Sequence, residues 1–421
     1  MKKKLLSVLL AVCMVFTLAP FAMAEEVFDT WDGGRNEALQ PDASGVYQLN
    51  SAEDLAQFAY LVNDGNTSIN ASLNTGINLD GRAFTPIGAY GYKLSTTVYG
   101  NTYKGTFNGN GHTICNGSIN GAGNIYNMGL FGFVEDGSIS NLQVVNITVN
   151  NTKTDNEASS GVVIGSLYHG SATNITVGEN CAVTGIHRVG GVVGSVRDSG
   201  TLTNCDSQAT VTGTGMYCGG IVGAAHDLDY SLFQGLTGAP ASISYCDNSG
   251  TVNGNTEVGG IVGYTDQSTI EHCTNSGTIS ATGNYGSGGI VGFDAYNPRS
   301  LGSWVVYAPN TGATIESCTN TGAINGPRSG GIVGTLGVTP GEEQPDNPTV
   351  LTKISNCHNE GDITGTTGKC GAIFGYQITY AHGDGDDYVK NLTVQIRSCD
   401  FNCTINNVAA TDATPSEYIS Q

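Results

Sequence analysis

Residues 243–263 read ISYCDNSGTVNGNTEVGGIVG. The stretch opens on Ile243, reaches Cys246 three residues later, passes Asn248 and Val252, and closes on Gly-Gly-Ile-Val-Gly. Short β-branched runs punctuated by Gly, Asn, Ser and Thr read as strands between turns. The helical apolar spacing that ankyrin-like repeats of similar period need is missing.

The closing motif recurs as GLFG at 129–132, GVVIG at 161–165 and GGVVG at 190–194. It then recurs as GGIVG at 219–223, 259–263, 288–292 and 330–334, and as GAIFG at 371–375. The opening motif, Ile-x-x-Cys-x-Asn-x-Gly-x-Ile/Val, recurs at Ile243/Cys246, Ile270/Cys273, Ile315/Cys318 and Ile354/Cys357. Weaker copies lie at Leu202/Cys205 and Ile396/Cys399, and Leu142 and Ile175 take the cysteine position in the earliest copies. Such self-similarity means a solenoid or array.

Spacing predicts the geometry. From each cysteine to the last glycine of the next closing motif takes 18, 17, 19, 16 and 18 residues. From that glycine to the next cysteine position takes 10, 10 and 11, then 23, 10, 26, 23 and 24. Nearly all large length variation therefore falls in one arc, and insertions should leave a stacked coil at one corner, on what is often the binding face. The short coil is about 29 residues with three β-type segments. Coils stacking at about 4.8 Å would place Ile on Ile, Cys on Cys and Asn on Asn. The asparagines could form amide ladders, and the glycines fit bends.

These motifs resemble the GLUG repeat of bacterial surface and secreted proteins, over roughly 125–407. The resemblance extends upstream: LNSAEDLAQFAYLVNDG at 49–65, INLDGRAFTPIG at 77–88 and YKGTFNGNGHTI at 103–114 look like the leader that precedes such repeats. It implies an all-β fold, a right-handed parallel β-helix (β-solenoid), and a surface address. Such repeats also lie beside the zinc protease domain of some immunoglobulin A peptidases, but the His-Glu-x-x-His that protease needs is absent. Within the leader, Ser51-Ala52-Glu53-Asp54 resembles a capping box. Leu55, Phe58, Ala59 and Val62 follow at helical spacing, which predicts a short capping helix over about 52–63. An uncovered solenoid end is a sticky strand edge, so a cap is expected.

The 421 residues include 61 glycines and only 12% charged residues, yet 39% are hydrophobic, enough for a sizeable core. The formal charge of −20 excludes the basic footprint of a nucleic-acid binder. Residues 1–24 read as a secretory signal peptide: three lysines, an apolar run from Leu5, and Ala22-Met23-Ala24 before two glutamates. No second run of membrane-spanning length follows, so no membrane insertion is expected. The expected organisation is a signal peptide at 1–24, a leader with first coils at 25–124, repeats at 125–407 and a tail at 408–421. No sortase-type motif marks an anchor, so free secretion and surface attachment both stay open.

Eleven cysteines follow residue 24. Six of them (205, 246, 273, 318, 357 and 399) hold one repeat column that tolerates Leu and Ile, so a reduced, buried ladder is expected rather than disulfides. Stacked Cα atoms near 4.8 Å would still permit some bridges.

Chemistry would come from the four insertions, at approximately 224–242, 293–314, 335–353 and 376–395. Phe233, Tyr296, Trp304, Tyr307 and Tyr380 are candidate ligand-binding residues, because aromatic faces pack the C–H face of sugars. The alternative is that these rings pack their own loops against the solenoid wall. Asp384, Asp386 and Asp387 form an acidic turn that could wrap Ca²⁺, although complete calcium-loop patterns are missing; a solvated turn is the plainer reading. No other cofactor is indicated, and no catalytic constellation is visible. The expected function is an exported non-catalytic solenoid that binds a glycan, a cell-wall polymer or a host surface protein through its inserted loops. A β-helix polysaccharide lyase or glycoside hydrolase, and a passive spacer, are the alternatives.

Overall fold

The computed structural model describes residues 26–410 apart from 90–91, 95–96, 122–124, 156–157, 227–239, 297–298, 302–303, 307–311, 339–349, 366–368 and 378–391. Among the described residues the chain is a parallel β-helix with one helix. Strands stack into a 27-stranded, an 8-stranded and a 7-stranded sheet, and every pairing between coils is parallel. Antiparallel pairing is confined to local hairpins such as Arg299–Leu301 with Trp304–Val306 and Thr404–Ile405 with Val408–Ala409.

Each coil uses the repeat as its spacing predicts. Leu142, Ile175 and Cys205 lie in register, and the next column, Asp206–Asp247–Thr274–Thr319–His358–Asp400, fixes the remaining cysteines in line. All eleven described cysteines are free thiols, and all but the half-buried Cys399 are buried. A thiol here serves as a small hydrophobe that also donates weakly: Cys273 Sγ lies 3.2 Å from the Glu271 carbonyl and 3.7 Å from that of Ile243.

The Ile-x-x-Cys spacing has a backbone cause. Side chains alternate faces along a straight strand, so residues three apart would point to opposite sides. The residue before each cysteine position breaks the alternation by adopting a left-handed conformation: Asn141, Asn174, Asn204, Tyr245, His272, Ser317, Asn356 and Ser398 have φ of 52–57°. Ile243 and Cys246 are thereby both fully buried. Asparagine tolerates this region best, which accounts for four of the eight.

Asparagine ladders run along the axis, one of them through Asn146, Asn116 and Asn78 at 2.7 and 3.1 Å. Asn204, Asn174, Asn141 and Asn108 link through exposed or half-buried amides at 2.8–2.9 Å. Asn248, Asn275, Asn320 and Asn359 are fully buried and link Nδ2 to Oδ1 at 2.8 Å, while each Nδ2 also reaches a carbonyl two residues on. The second glycine of the closing motif makes room for this ladder. A Cβ on Gly220, Gly260, Gly289 or Gly331 would sit 2.3–2.4 Å from the asparagine Cγ of the following coil.

The leader supplies the first rungs. Val46–Leu49, Asn70–Leu73 and Thr106–Asn108 stack in order on Ser138–Ser140. The helix spans Ala52–Asn63 and buries Leu55, Phe58, Ala59 and Val62. Ser51 Oγ accepts from the Asp54 amide at 3.1 Å. The shorter Asp54 reaches back to the Asn50 amide at 2.9 Å, one residue before the cap, where a glutamate would return to the cap itself. Phe58 packs on Tyr103 and Phe107 beneath the helix.

Candidate functional site

All four insertions leave the coil at one corner. They follow the strands Val222–His226, Val291–Tyr296, Val333–Val338 and Phe374–Gln377 of the 8-stranded sheet. They rejoin at Ser242–Ser244, Thr314–Glu316, Val350–Ser355 and Leu392–Arg397 of the 27-stranded sheet. The strands run further into the insertions than the spacing suggested, so the loops proper are shorter. Short coils cross the same corner in two or three residues, between Glu135 and Ser138 or Thr265 and Thr269.

Of the candidate residues, Phe233, Tyr307, Tyr380, Asp384, Asp386 and Asp387 lie outside the described residues. Tyr296 closes the strand Val291–Tyr296, and Trp304 sits opposite Leu301 in the hairpin of the second insertion. Among the described residues no group of three or more His, Cys, Asp and Glu is placed to hold a metal ion, and no helix is long and apolar enough to cross a membrane.

Beside this corner lies a strip of rings and cations that the sequence reading did not single out. Ala224, Tyr264, Phe293, Thr335 and Tyr376 form one column on the 8-stranded sheet. Ala224, Tyr264, Phe293 and Ala295 pack as a small cluster separate from the main core. The rings of Tyr264 and Phe293 lie parallel within 3°, their centroids 6.1 Å apart, and Tyr217 lies 4.4 Å from Tyr264. Cations edge the strip. Arg328 lies 4.8 Å from the Tyr376 ring and 5.9 Å from that of Tyr285. Lys369 lies 3.9 Å over Tyr376 and donates to its hydroxyl at 2.7 Å. Tyr217, Tyr285 and Tyr376 are half-buried, so the strip keeps some surface.

The backbone beside the strip is strained. Arg188, Tyr217, Glu257 and Arg328 occupy equivalent positions before the closing motif with φ of 50, 68, 51 and 50°. Bulky residues in this region carry about 1–2 kcal/mol each, and such strain gathers at functional sites. Burial pushes the Glu257 carboxyl up to about 7 against a hydrogen bond from Thr256 Oγ1. Asp294, fully buried where neighbouring coils carry Thr265 and Leu336, is likewise pushed up to about 7 by burial. Its Oδ2 accepts from the Ala313 amide at 3.1 Å and Thr352 Oγ1 at 2.5 Å, while Oδ1 has no partner. Asp294 thus clamps the two ends of the second insertion together.

A usable sequence signal existed. The strip residues either follow the last glycine of the motif directly, as Tyr264, Phe293 and Tyr376 do, or precede the motif by two positions, as Tyr217, Glu257 and Arg328 do.

Residues 254–280 match the GLUG motif. Over 211 residues, 43% of this chain, the sequence is 27% identical to halomucin of Haloquadratum walsbyi, of which the match spans only 2%. A crystal structure of a candidate immunoglobulin A1 protease from Bacteroides ovatus superposes with a TM-score of 0.48 at 17% identity, covering 79% of this chain and 83% of that one.

Proposed function

We propose that the protein is an extracellular or cell-surface solenoid that binds an extended glycan or cell-wall polymer along its insertion corner. The GLUG motif and the halomucin-like stretch support the address, and the signal-like residues 1–24 fit it. The observation that carries the binding is the coincidence of two columns. All four repeat insertions leave at one corner, and the aromatic strip with Arg328 and Lys369 runs beside it. Rings offer flat apolar faces to sugar C–H groups, and cations and amides read hydroxyls. The coil spacing of about 4.8 Å presents these groups along a line rather than in a pocket, which suits a polymer.

The test is a polysaccharide panel on residues 25–421, reading binding and released sugar together, with Trp304→Ala and Tyr376→Ala alongside. Binding that both variants weaken, without sugar release, supports the reading. Released oligosaccharide would replace binding by catalysis as the function. Binding indifferent to both variants, or no binding, would sink the corner as the site.

A further inference from the structure

At the opposite end from the last coil, the capping helix and the leader loops at 31–35 and 84–85 enclose a half-open cleft of about 430 Å³, within the range of small-molecule sites. Its floor is Ala56 and Ala59 of the helix, with Phe84 behind them. One wall is the half-buried Trp31, the other the exposed Tyr60. The walls are held in advance. Trp31 Nε1 donates to the Gly34 carbonyl at 2.9 Å, and its ring meets Phe84 edge-on at 6.0 Å. Asn63 spends its amide on the Pro86 carbonyl and the Ala89 amide, both at 2.9 Å, which fixes the end of the helix against the first coils.

The rim mixes charges of both signs. Arg35 lies 3.9 Å over the Tyr60 ring and 3.8 Å from Glu37, while the exposed Asp64 carboxylate and Thr85 complete the edge. A cationic ligand would meet Arg35, and an anionic one would meet Asp64. A purely apolar ligand would strip water from both. A molecule with one apolar face and an edge of neutral donors and acceptors satisfies floor, walls and rim together, and a pyranose ring has that form. Helix caps on solenoids need only cover the strand edge; nothing in that task requires an exposed tyrosine and a tryptophan to line one cleft.

We infer that this cleft is a saccharide-binding site, taking a neutral sugar ring against Trp31 and Tyr60 with its hydroxyls on Arg35 and Asp64. It goes beyond the corner reading and stands or falls separately from it. The chain has two tryptophans, Trp31 and Trp304, so a Trp304→Phe chain (residues 25–421) makes Trp31 emission a report on this cleft alone. The probes are cellohexaose, maltohexaose, xylohexaose and chitohexaose. The expected result is a saturable change in Trp31 emission, with protection from acrylamide quenching, for at least one of them. Tyr60→Ala, a change at an exposed side chain, should weaken that binding by about tenfold or more, and Asp64→Asn should weaken it less. Circular dichroism melts of both variants should match the parent. No emission change or protection with any of the four sugars would overturn the proposal, as would unchanged affinity in Tyr60→Ala. Loss of binding to the insertion corner in Trp304→Ala would leave it untouched.

Discussion

Replacing Asn275 by alanine tests whether the buried amide ladder holds the coils together. Asn275 is fully buried, donates to the Gly277 carbonyl at 3.0 Å and Asn320 Oδ1 at 2.8 Å, and accepts from Asn248 Nδ2 at 2.8 Å. Three hydrogen bonds at about 1 kcal/mol net give roughly 3 kcal/mol. The Gly277 carbonyl and Asn320 Oδ1 are also left without these donors inside the core, each at about 1–3 kcal/mol. Relaxation and water entry recover part of that, so a loss of roughly 3–5 kcal/mol is expected. The control is Asn174→Gly in the outer ladder. Glycine keeps the left-handed conformation of Asn174 (φ 55°) free of strain, and its amide bonds are water-exposed, so the loss should stay below about 1 kcal/mol. Urea unfolding by circular dichroism gives both numbers. Native-state hydrogen exchange shows whether the loss is local, as nearest-neighbour coupling in a repeat protein requires. Equal, small shifts in the two variants would refute the claim that the inner ladder is structural.

Three further outcomes follow from the same geometry. Ile270 is fully buried between Ile243 and Ile315, so Ile270→Asp should cost roughly 3–5 kcal/mol; a thermal melt matching the parent would show that the inward column is misassigned. Asp294 has its carboxyl raised from the ordinary 3.8 to about 7, so the native state holds a proton that the unfolded chain has released between about pH 4 and 7. The share of stability from Asp294 is then fully present below pH 4 and falls as pH rises through 7, by at most about 4 kcal/mol. Asp294→Asn should remove that share of the slope in urea midpoints taken across the window, leaving the share of Glu257, which burial also pushes up to about 7. Finally, Ellman's reagent should find at most the half-buried Cys399 in native residues 25–421 and all eleven thiols after non-reducing denaturation; a lower denatured count would mean that the ladder carries disulfides.

Much of the fold was legible because the columns are periodic. The constant arc from cysteine to closing glycine marks the invariant walls, the variable arc marks the insertion corner, and the helix at Ala52–Asn63 carries both a cap and an apolar stripe. What did not show was anything depending on φ. Tyr245, His272 and Ser317 are poor advertisements for a left-handed conformation, yet they adopt it because the coil above and below imposes it. The aromatic strip escaped for a related reason. Tyr264, Phe293 and Tyr376 are scattered by sequence distance and share a line only after the coils stack. The cleft at the cap was harder still, since Trp31, Tyr60 and Phe84 come from three separate leader segments and no repeat marks them.

The repeat also explains its own exceptions. Along the chain, the position that holds Asn248 is held by Val177 and Ser207 in earlier coils, and the second motif glycine is then Val162 or Gly191. A Cβ on Gly191 would sit 2.3 Å from Ser207 Oγ, as one on Gly220 would from Asn248. The earlier coil carries valine at both positions, and the later coils carry glycine against the serine or the amide. A Cβ at the second glycine would clash with the amide, so glycine stands there wherever the buried ladder is present. A core so constrained can vary only outside its walls. In this chain that leaves the insertion corner and the cap, where aromatic and charged residues lie side by side.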